Sequence, residues 1–240
     1  MANSHPKRSE TITAALRDDI LRGQYRPGER LPSERDLAER HATSRGTVRE
    51  AVKRLEQLGL ADIQPGGARA AAVQACSLDV LGPLLALEPT PDPALVDQIL
   101  ELVGVLMRFA AEAAVSHGEP AKLADTRKSI LKLRTGAGSA EAGESIAELF
   151  RSLADAADHL VLRLIMNGLR GQAREHIRHT CDPKSIDPAT LRKIARDLDA
   201  AIDKRDAAEA GTTIGQLFDV LRRHAASRQQ ETGLHRRAAS

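Results

Sequence analysis

Two arginines, Arg45 and Arg49, stand four residues apart in the segment SRGTVREAVKRLEQLGL, a spacing that places both on one face of a helix. The opposite face is apolar and contains, at three- and four-residue steps, Val48, Ala51, Val52, Leu55 and Leu58. Guanidinium groups presented in this way can bind guanine edges or phosphates in the major groove of duplex DNA. Both arginines lie near the helix N-terminus, which is the end of a recognition helix that contacts bases. The pattern predicts a DNA-reading helix, and the alternative is an ordinary solvated helix face.

A shorter helix precedes this one and would position it. Pro32 and Ser33 are typical of a helix start, in which Ser33 caps the free amides and Asp36 follows three residues later. This helix ends near His41, and Ser44 offers a cap for the arginine-bearing helix. A further amphipathic helix is predicted upstream from the spacing of Ile12, Leu16, Ile20 and Leu21.

A glycine-tipped hairpin is predicted after the arginine-bearing helix. Apolar residues alternate loosely around a Pro-Gly-Gly turn at 65–67, namely Leu60, Ile63 and Val73. Gly66 and Gly67 allow backbone amides to approach a phosphate or the minor-groove floor closely, and Arg69 adds a cation there. Three helices and this wing predict a winged helix-turn-helix domain.

The run from Ile20 through PGERLPSERDLAER, SRGTVREAVKRLEQLGL and PGG resembles the N-terminal domain of GntR-family bacterial transcription regulators. The resemblance implies contacts with double-stranded DNA from Arg35, Ser44, Arg45, Thr47, Arg49 and Gly66, with Ser33 and Gly46 near the backbone. The wing adds Gly67 and Arg69 to the predicted contacts, although its sequence, GGARAAAV, departs from the commoner family pattern. Arg40 and Arg54 are given no DNA role, because each can simply be solvated or paired with a carboxylate.

Composition sets the remaining limits on function. Residues 1–75 contain 13 lysines and arginines against 10 aspartates and glutamates, a net charge of +3, and the remainder contains 22 against 23. DNA affinity must then come from the local placement of arginines, and it should fall steeply with salt. Cys76 and Cys181 are far apart and lack metal-ligand spacing, which favours reduced thiols in a cytoplasmic protein. The N-terminus lacks a signal-peptide core, no segment is apolar enough to span a membrane, and no cofactor motif appears.

Beyond residue 93 the sequence is helical by period, with predicted helices over 94–116, 121–133, 141–157, 159–178, 188–204 and 206–229. The fold class is therefore mainly α: the winged helix-turn-helix domain followed by an all-α helical bundle. We expect the DNA-binding domain over 1–75, a linker with a short helix over 76–93, the bundle over 94–228 and a disordered tail over 229–240.

The tract ELFRSLADAADHLVLRLIMNGLRGQAREHIRH is similar to the FadR subfamily of GntR regulators. That resemblance implies a bundle that binds an effector and pairs subunits, hence a homodimer acting on a palindromic operator, which we expect to be a repressor of metabolic genes. Many members of the subfamily hold a metal with an aspartate and three histidines, and the corresponding positions here are Ala147, Arg151, Ala195 and Leu217. No metal is therefore expected, and the chain is placed near the metal-free, acyl-CoA-responsive branch.

The resemblance implies a fatty acyl-CoA or a fatty acid as the effector, and the few aromatic residues leave any pocket in the bundle with an aliphatic lining that suits an acyl chain. An ordinary bundle core would have the same lining. The candidate effector-binding residues are Arg108, Phe150, Arg151, Leu164, Asn167, Arg170, Arg174 and Arg178. The alternative is a GntR-family regulator that responds to a small organic acid or a metal-bound carboxylate.

Two further interpretations have weaker support. His176 with His179, or Asp155 with His159, could supply two metal ligands from one helical face, but solvated or carboxylate-paired histidines are favoured because no third ligand is identified. Asp155, His159 and Arg174 could in principle host acid-base chemistry. Since no nucleophile-base pair or cofactor loop accompanies them, we expect no enzyme.

Overall fold

The computed structural model describes the backbone of residues 4–180 and 186–238, and the side chains of residues 8–172 and 186–227. The chain divides into two compact units, Met1–Pro89 and Thr90–Ser240. The first unit is a winged helix-turn-helix domain and the second is a helical bundle, so the predicted fold class is confirmed. Among the described residues, none of the helices is both long enough and apolar enough to cross a membrane.

The first unit contains the elements α1 (Ser4–Leu21), α2 (Glu34–Arg40), α3 (Arg45–Gln57), β1 (Ala61–Gln64) and β2 (Gly67–Ala70). The two strands form an antiparallel hairpin in which Ala61 is opposite Ala70 and Gln64 is opposite Gly67. Val73 was expected to belong to this hairpin, but it begins a 3-10 turn, Val73–Ala75, after the second strand has ended. Ala71 still donates to the carbonyl of Leu60 in the register of the hairpin, but the amide of Leu60 donates to the carbonyl of Leu55 at the end of α3, so the pairing does not continue to Val73.

The core of the first unit is built from one apolar face of each helix. Leu16 of α1, Leu37 of α2 and Leu55 of α3 are fully buried, and Leu60 closes the core beside the hairpin. Burial of these side chains removes apolar surface from water and fixes the angle between α2 and α3. The polar faces of α2 and α3 are therefore held at a fixed angle to each other.

The segment expected to be a linker packs against this first core. It contains a 3-10 turn, Leu78–Val80, and the short helix α4, Leu81–Ala86. Val80 is buried in the core, and Leu84 packs against it. A hydrogen bond of 3.1 Å from Arg22 Nη2 to the carbonyl of Leu87 ties the end of the segment to the end of α1. The first unit therefore extends past residue 75, to Pro89.

The bundle contains α5 (Pro93–His117), α6 (Pro120–Gly136), α7 (Ala142–Ala156), α8 (Leu160–Thr180), α9 (Pro188–Asp203) and α10 (Ala207–Ala238). These bounds agree with the six predicted helices except at the end of α10. Its backbone remains helical to Ala238, through most of the segment expected to be a disordered tail. The segment contains no proline to stop the helix, and its good helix formers, glutamine, glutamate, leucine, arginine and alanine, outnumber the unfavourable Thr232 and Gly233.

Helices α5 and α10 pack closely because glycines leave room for large side chains of the opposite helix. The Cβ and Cγ atoms of Phe218 lie 3.1 Å from the place where a Cβ on Gly104 would stand. In the other direction, the side chain of Arg108 lies against Gly215. The two helices are also joined by Arg222, whose Nε and Nη2 each donate to Asp97 over 2.7 Å.

Candidate nucleic-acid interface

Serine side chains cap the two helices of the helix-turn-helix. Ser33 Oγ accepts a hydrogen bond of 3.2 Å from the amide of Asp36, and Ser44 Oγ accepts one of 3.2 Å from the amide of Thr47. Both caps were predicted, and both are confirmed. They set where α2 and α3 begin, and so they set which residues occupy the first turn of α3.

The exposed face of α3 carries the predicted base-reading side chains. Arg45 and Arg49 are exposed, and Lys53 continues the row one turn further along. Beside this row runs a shallow concave surface lined by Ser44, Gly46, Thr47, Glu50, Lys53, Arg54 and Gln57. Lys53 is missing from the predicted contacts, although its four-residue spacing from Arg49 was a sufficient signal. A phosphate can be bound by such a lysine.

Thr47 occupies a different environment from its neighbours in the predicted set. Its side chain is buried, with 2% exposure, and its Oγ1 lies 3.0 Å from Ser44 Oγ. In this arrangement the hydroxyl takes part in the cap at the start of α3 and is not presented to solvent. Thr47 also lines the concave surface beside α3, and its predicted contact with DNA stays a prediction.

Arg49 is held by a carboxylate on the preceding helix. Its Nε donates to Glu34 Oε1 over 2.9 Å and its Nη2 donates to Glu34 Oε2 over 2.8 Å. The hydrogen bond from Arg49 holds the pKa of Glu34 below its ordinary value, and the charges of Arg49 and Arg45 act in the same direction. The same pair raises the pKa of Arg49. Glu34 was absent from the predicted site because the two residues are 15 positions apart in the sequence.

Arg35 has a weaker partner. Its Nε lies 3.2 Å from Glu39 Oε1, and both side chains are about two-thirds exposed, at 68% and 70%. An exposed pair of this kind contributes little free energy, since water solvates both groups well. Arg35 is therefore available to exchange Glu39 for a phosphate or a base.

The arginine that contacts the tip of the wing is Arg30, whereas Arg69 was the one predicted there. Gly66 and Gly67 are exposed and have φ values of +102° and +129°, which favour glycine. Arg30 Nη2 donates to the carbonyl of Gly66, and its guanidinium lies against Gly67. Arg69 Nη1 instead donates to the carbonyl of Gly28 over 2.8 Å, in the turn that precedes α2. Sequence reasoning missed Arg30, and only its pairing opposite Arg69 brings it to the wing.

The candidate effector residues lie in several environments within the bundle. Phe150 stacks on Phe218 with ring centroids 4.9 Å apart, and Arg151 pairs with Glu144 over 3.0 Å. Leu164 is 61% exposed on α8. Of the others, Arg108 and Asn167 are exposed, Arg170 is half-buried, and Arg174 and Arg178 lie outside the residues whose side chains are described. The stacking of Phe150 on Phe218 is a packing contact of the kind that a bundle core contains whether or not it binds a ligand.

His159 has structural partners in the bundle. Its ring packs edge-on against Phe109 with centroids 5.3 Å apart, and its Nδ1 accepts a hydrogen bond of 3.2 Å from the amide of Leu162. Within residues 8–172 and 186–227, no group of three or more histidine, cysteine, aspartate or glutamate side chains is placed to hold a metal ion. His176 and His179 lie outside the described residues.

Comparison with known proteins identifies the family. The family described as "Bacterial regulatory proteins, gntR family" matches residues 8–69, which span the helix-turn-helix and the wing. The transcriptional regulator Mce2R of Mycobacterium tuberculosis is 32% identical over 163 residues, which cover 67% of this chain and 68% of that protein. The chain belongs to the GntR family. It is a transcriptional regulator and not an enzyme, as predicted.

Two other similar proteins extend the comparison within the GntR family. A protein of Pasteurella multocida named "Fatty acid metabolism regulator protein" is 32% identical over 179 residues, covering 71% of this chain and 73% of that protein. The solved structure of Lar, a protein described as controlling expression of the Listeria monocytogenes agr system, superimposes with a TM-score of 0.55. It covers 91% of this GntR chain and 96% of Lar at 16% identity, so it shows a shared fold.

Proposed function

We propose that the chain is a sequence-specific, cytoplasmic repressor that binds a palindromic operator as a homodimer. The observation that carries this proposal is the exposed face of α3, where Arg45 occupies the first position of the helix and Arg49 follows one turn later. Helix N-termini of this class approach base edges in the major groove. The predicted contacts from the remaining members of the set stay part of the proposal, namely Ser33, Arg35, Ser44, Gly46, Thr47, Gly66, Gly67 and Arg69.

The test begins with selection of binding sites from random duplex DNA, followed by titration of the selected site. Arg45→Ala should weaken binding by about 1 to 3 kcal/mol, or roughly 5- to 150-fold, and should relax the preference at one base position. Arg40→Ala is the matched control, because Arg40 is an exposed arginine of α2 that has no assigned DNA role. Equal affinity of both variants for the selected site would contradict the assignment of α3.

The homodimer is proposed to form through an apolar face on α5 and α8. Most of the large apolar side chains exposed in the described part of the chain lie there: Leu102, Val105, Phe109, Leu160, Val161, Leu164 and Ile165. The contact between Phe109 and His159 joins the two helices along this face. An exposed apolar patch of this kind is typical of a protein interface, and a second copy is the occupant that a palindromic site requires.

The proposed effector is a fatty acyl-CoA or a fatty acid bound within the bundle. Support comes from the name of the Pasteurella multocida relative and from the aliphatic character of the bundle interior, where Leu149, Leu153 and Leu198 are fully buried. Arg108, Arg151 and Arg170 are the proposed anchors for an acidic head group. An effector that binds one state of the dimer more tightly than the other changes operator affinity by the ratio of those two affinities.

Titration with acyl-CoAs of increasing chain length tests the effector, with coenzyme A alone as the control for the head group. We expect direct binding of the acylated forms and a decrease in operator affinity that grows with chain length. If neither binding nor a change in operator affinity occurs, the acyl effector is excluded while DNA binding stands. A response to a small dicarboxylate with a divalent metal would identify the alternative class of effector.

A further inference from the structure

We propose that Glu34 is a positioning residue that determines the sequence specificity of DNA binding by holding the guanidinium of Arg49 in its reading orientation. The inference rests on the proposed function of α3 and assigns a role in it to a residue of α2. The contact joins the two helices across their exposed surface, at the position where α3 would enter the major groove.

The bond geometry leaves one side of the guanidinium for DNA. Glu34 accepts from Nε and from one N–H of Nη2, which together form one edge of the planar group. The adjacent, terminal edge consists of one N–H of Nη1 and the second N–H of Nη2. These donors have the spacing that guanine O6 and N7 accept, or that two phosphate oxygens accept. Arg49 can thus keep its bonds to Glu34 while it contacts DNA.

Glu34 is better fixed than the arginine it holds. The side chain of Arg49 is 62% exposed, whereas that of Glu34 is 37% exposed and stands at the first residue of α2. Leu37 of α2 and Val48 of α3 are fully buried and fix the two helices against each other. An unheld arginine would lose rotamer freedom on binding DNA, and it would reach phosphates from many geometries. Held by Glu34, it is already ordered in one geometry.

The carboxylate of Glu34 also changes what Arg49 contributes to the affinity and specificity of DNA binding. Its negative charge partly offsets the charge of Arg49, which reduces general attraction to the phosphate backbone. The directional hydrogen bonds of the outer edge are retained. Since the hydrogen bond from Arg49 holds the pKa of Glu34 below its ordinary value, the carboxylate is ionised at neutral pH. Glu34 therefore favours the correct base over nonspecific DNA.

The first experiment compares the selected operator with unrelated duplex DNA. In Glu34→Gln, the amide group of glutamine cannot accept both bonds, so we expect the ratio of operator to nonspecific affinity to fall about tenfold. Nonspecific affinity should stay equal or rise. The control is Glu10→Gln, which also removes one negative charge from an ion pair with an arginine of α3, Arg54. It should leave the ratio of operator to nonspecific affinity unchanged. Glu34→Asp keeps the charge but withdraws the carboxylate, and it should lower the ratio as well.

A double-mutant cycle separates positioning from a general structural effect. If Glu34 acts through Arg49, the substitution Glu34→Gln should not lower the ratio further in an Arg49→Ala background. An additive loss in that background would overturn the proposal, as would a rise in both operator and nonspecific affinity in the single variant. A rise in both affinities would show that Glu34 competes with DNA for the guanidinium of Arg49. Failure of the wild-type protein to select any DNA sequence would instead contradict the proposed function itself.

Discussion

The arginines of the first unit differ mainly in what holds each guanidinium. Arg49 is fixed by two hydrogen bonds to Glu34, Arg35 by one long contact to an exposed carboxylate, and Arg30 by a wing carbonyl. Two-point bonds fix the plane of a guanidinium, while a single contact leaves it free to rotate. We infer that Arg49 is the most restricted of the three, and that Arg35 adapts to the DNA backbone.

A prediction at the scale of one residue concerns the cap of α3. Ser44→Ala removes the oxygen that accepts from the amide of Thr47, so one free amide at the helix start loses its partner. We expect the free energy of unfolding to fall by about 1 kcal/mol, measured by urea titration. Ser227→Ala is the control, because the Ser227 hydroxyl donates to the carbonyl of Arg223 within its own helix and caps no helix start. Equal stability of Ser44→Ala and wild type would show that the Ser44 cap does not stabilise the start of α3.

Residues whose roles are local were predictable from the sequence, and residues whose roles depend on tertiary geometry were not. The caps at Ser33 and Ser44 depend on neighbours three residues away, so residue type and spacing were sufficient. The bond between Arg49 and Glu34 depends on the angle between two helices, which the hydrophobic pattern does not specify. Burial of Thr47 similarly depends on how far α3 is rotated toward the core.

At the scale of secondary structure elements, α5 and α10 are joined by an ion pair whose contribution depends on pH. Hydrogen bonds from Arg222 hold the pKa of Asp97 below its ordinary value. A carboxyl group with a lowered folded-state pKa stabilises the fold above its pKa in the unfolded chain, about 3.9, and loses that contribution as the pH falls through the folded-state value. Both side chains are partly exposed, so solvent screening keeps the contribution to about 0.5 kcal/mol.

Asp97→Asn should therefore lower the free energy of unfolding by about 0.5 kcal/mol at neutral pH. The difference from wild type should vanish in acid, once Asp97 is protonated in the folded protein. A series of urea titrations from pH 7 downward into acid follows this difference. Glu141→Gln serves as the control, since Glu141 stands at the start of α7 and its side chain caps nothing. A difference that stays constant over the whole series would show that packing, and not charge, is lost in Asp97→Asn.

Helix positions were predictable because apolar periodicity and caps act along the chain. Asp187, for example, caps α9 at its predicted start, and Pro188 occupies the first turn. The hairpin was also expected, but its length was not, because the pairing of Ala61 with Ala70 ends it before Val73. The end of α10 was placed too early, since polar composition alone does not stop a helix made of good helix formers.

At the scale of the whole molecule, a single DNA-reading helix offers too few base contacts for strong specificity. Two copies that bind two half-sites multiply their affinities, provided that the protein holds them together. The modest net charge of the first 75 residues makes this linkage more important, because general attraction to DNA is weak. Specificity and dimer formation are thus coupled, and disruption of the proposed apolar face should be visible in DNA binding.

The dimer prediction uses one substitution on each helix of that face. Val105→Glu on α5 and Leu164→Glu on α8 replace side chains that are 60% and 61% exposed, so the folded monomer should tolerate both. In a dimer each charge would be buried without a partner, which is costly. We expect sedimentation velocity to show dimers for wild type and monomers for both variants. Leu131→Glu on α6, where the leucine is 48% exposed outside this face, should stay dimeric.

Operator binding by the same proteins completes the argument. The monomeric variants should retain the half-site affinity of wild type, because α3 is unchanged, but they should lose the additional affinity for the full palindrome. If Val105→Glu and Leu164→Glu both remain dimeric, the subunits pair through another surface. If they become monomeric and still bind the palindrome as tightly as wild type, each copy reads its site alone, and the coupling between dimer formation and specificity is wrong.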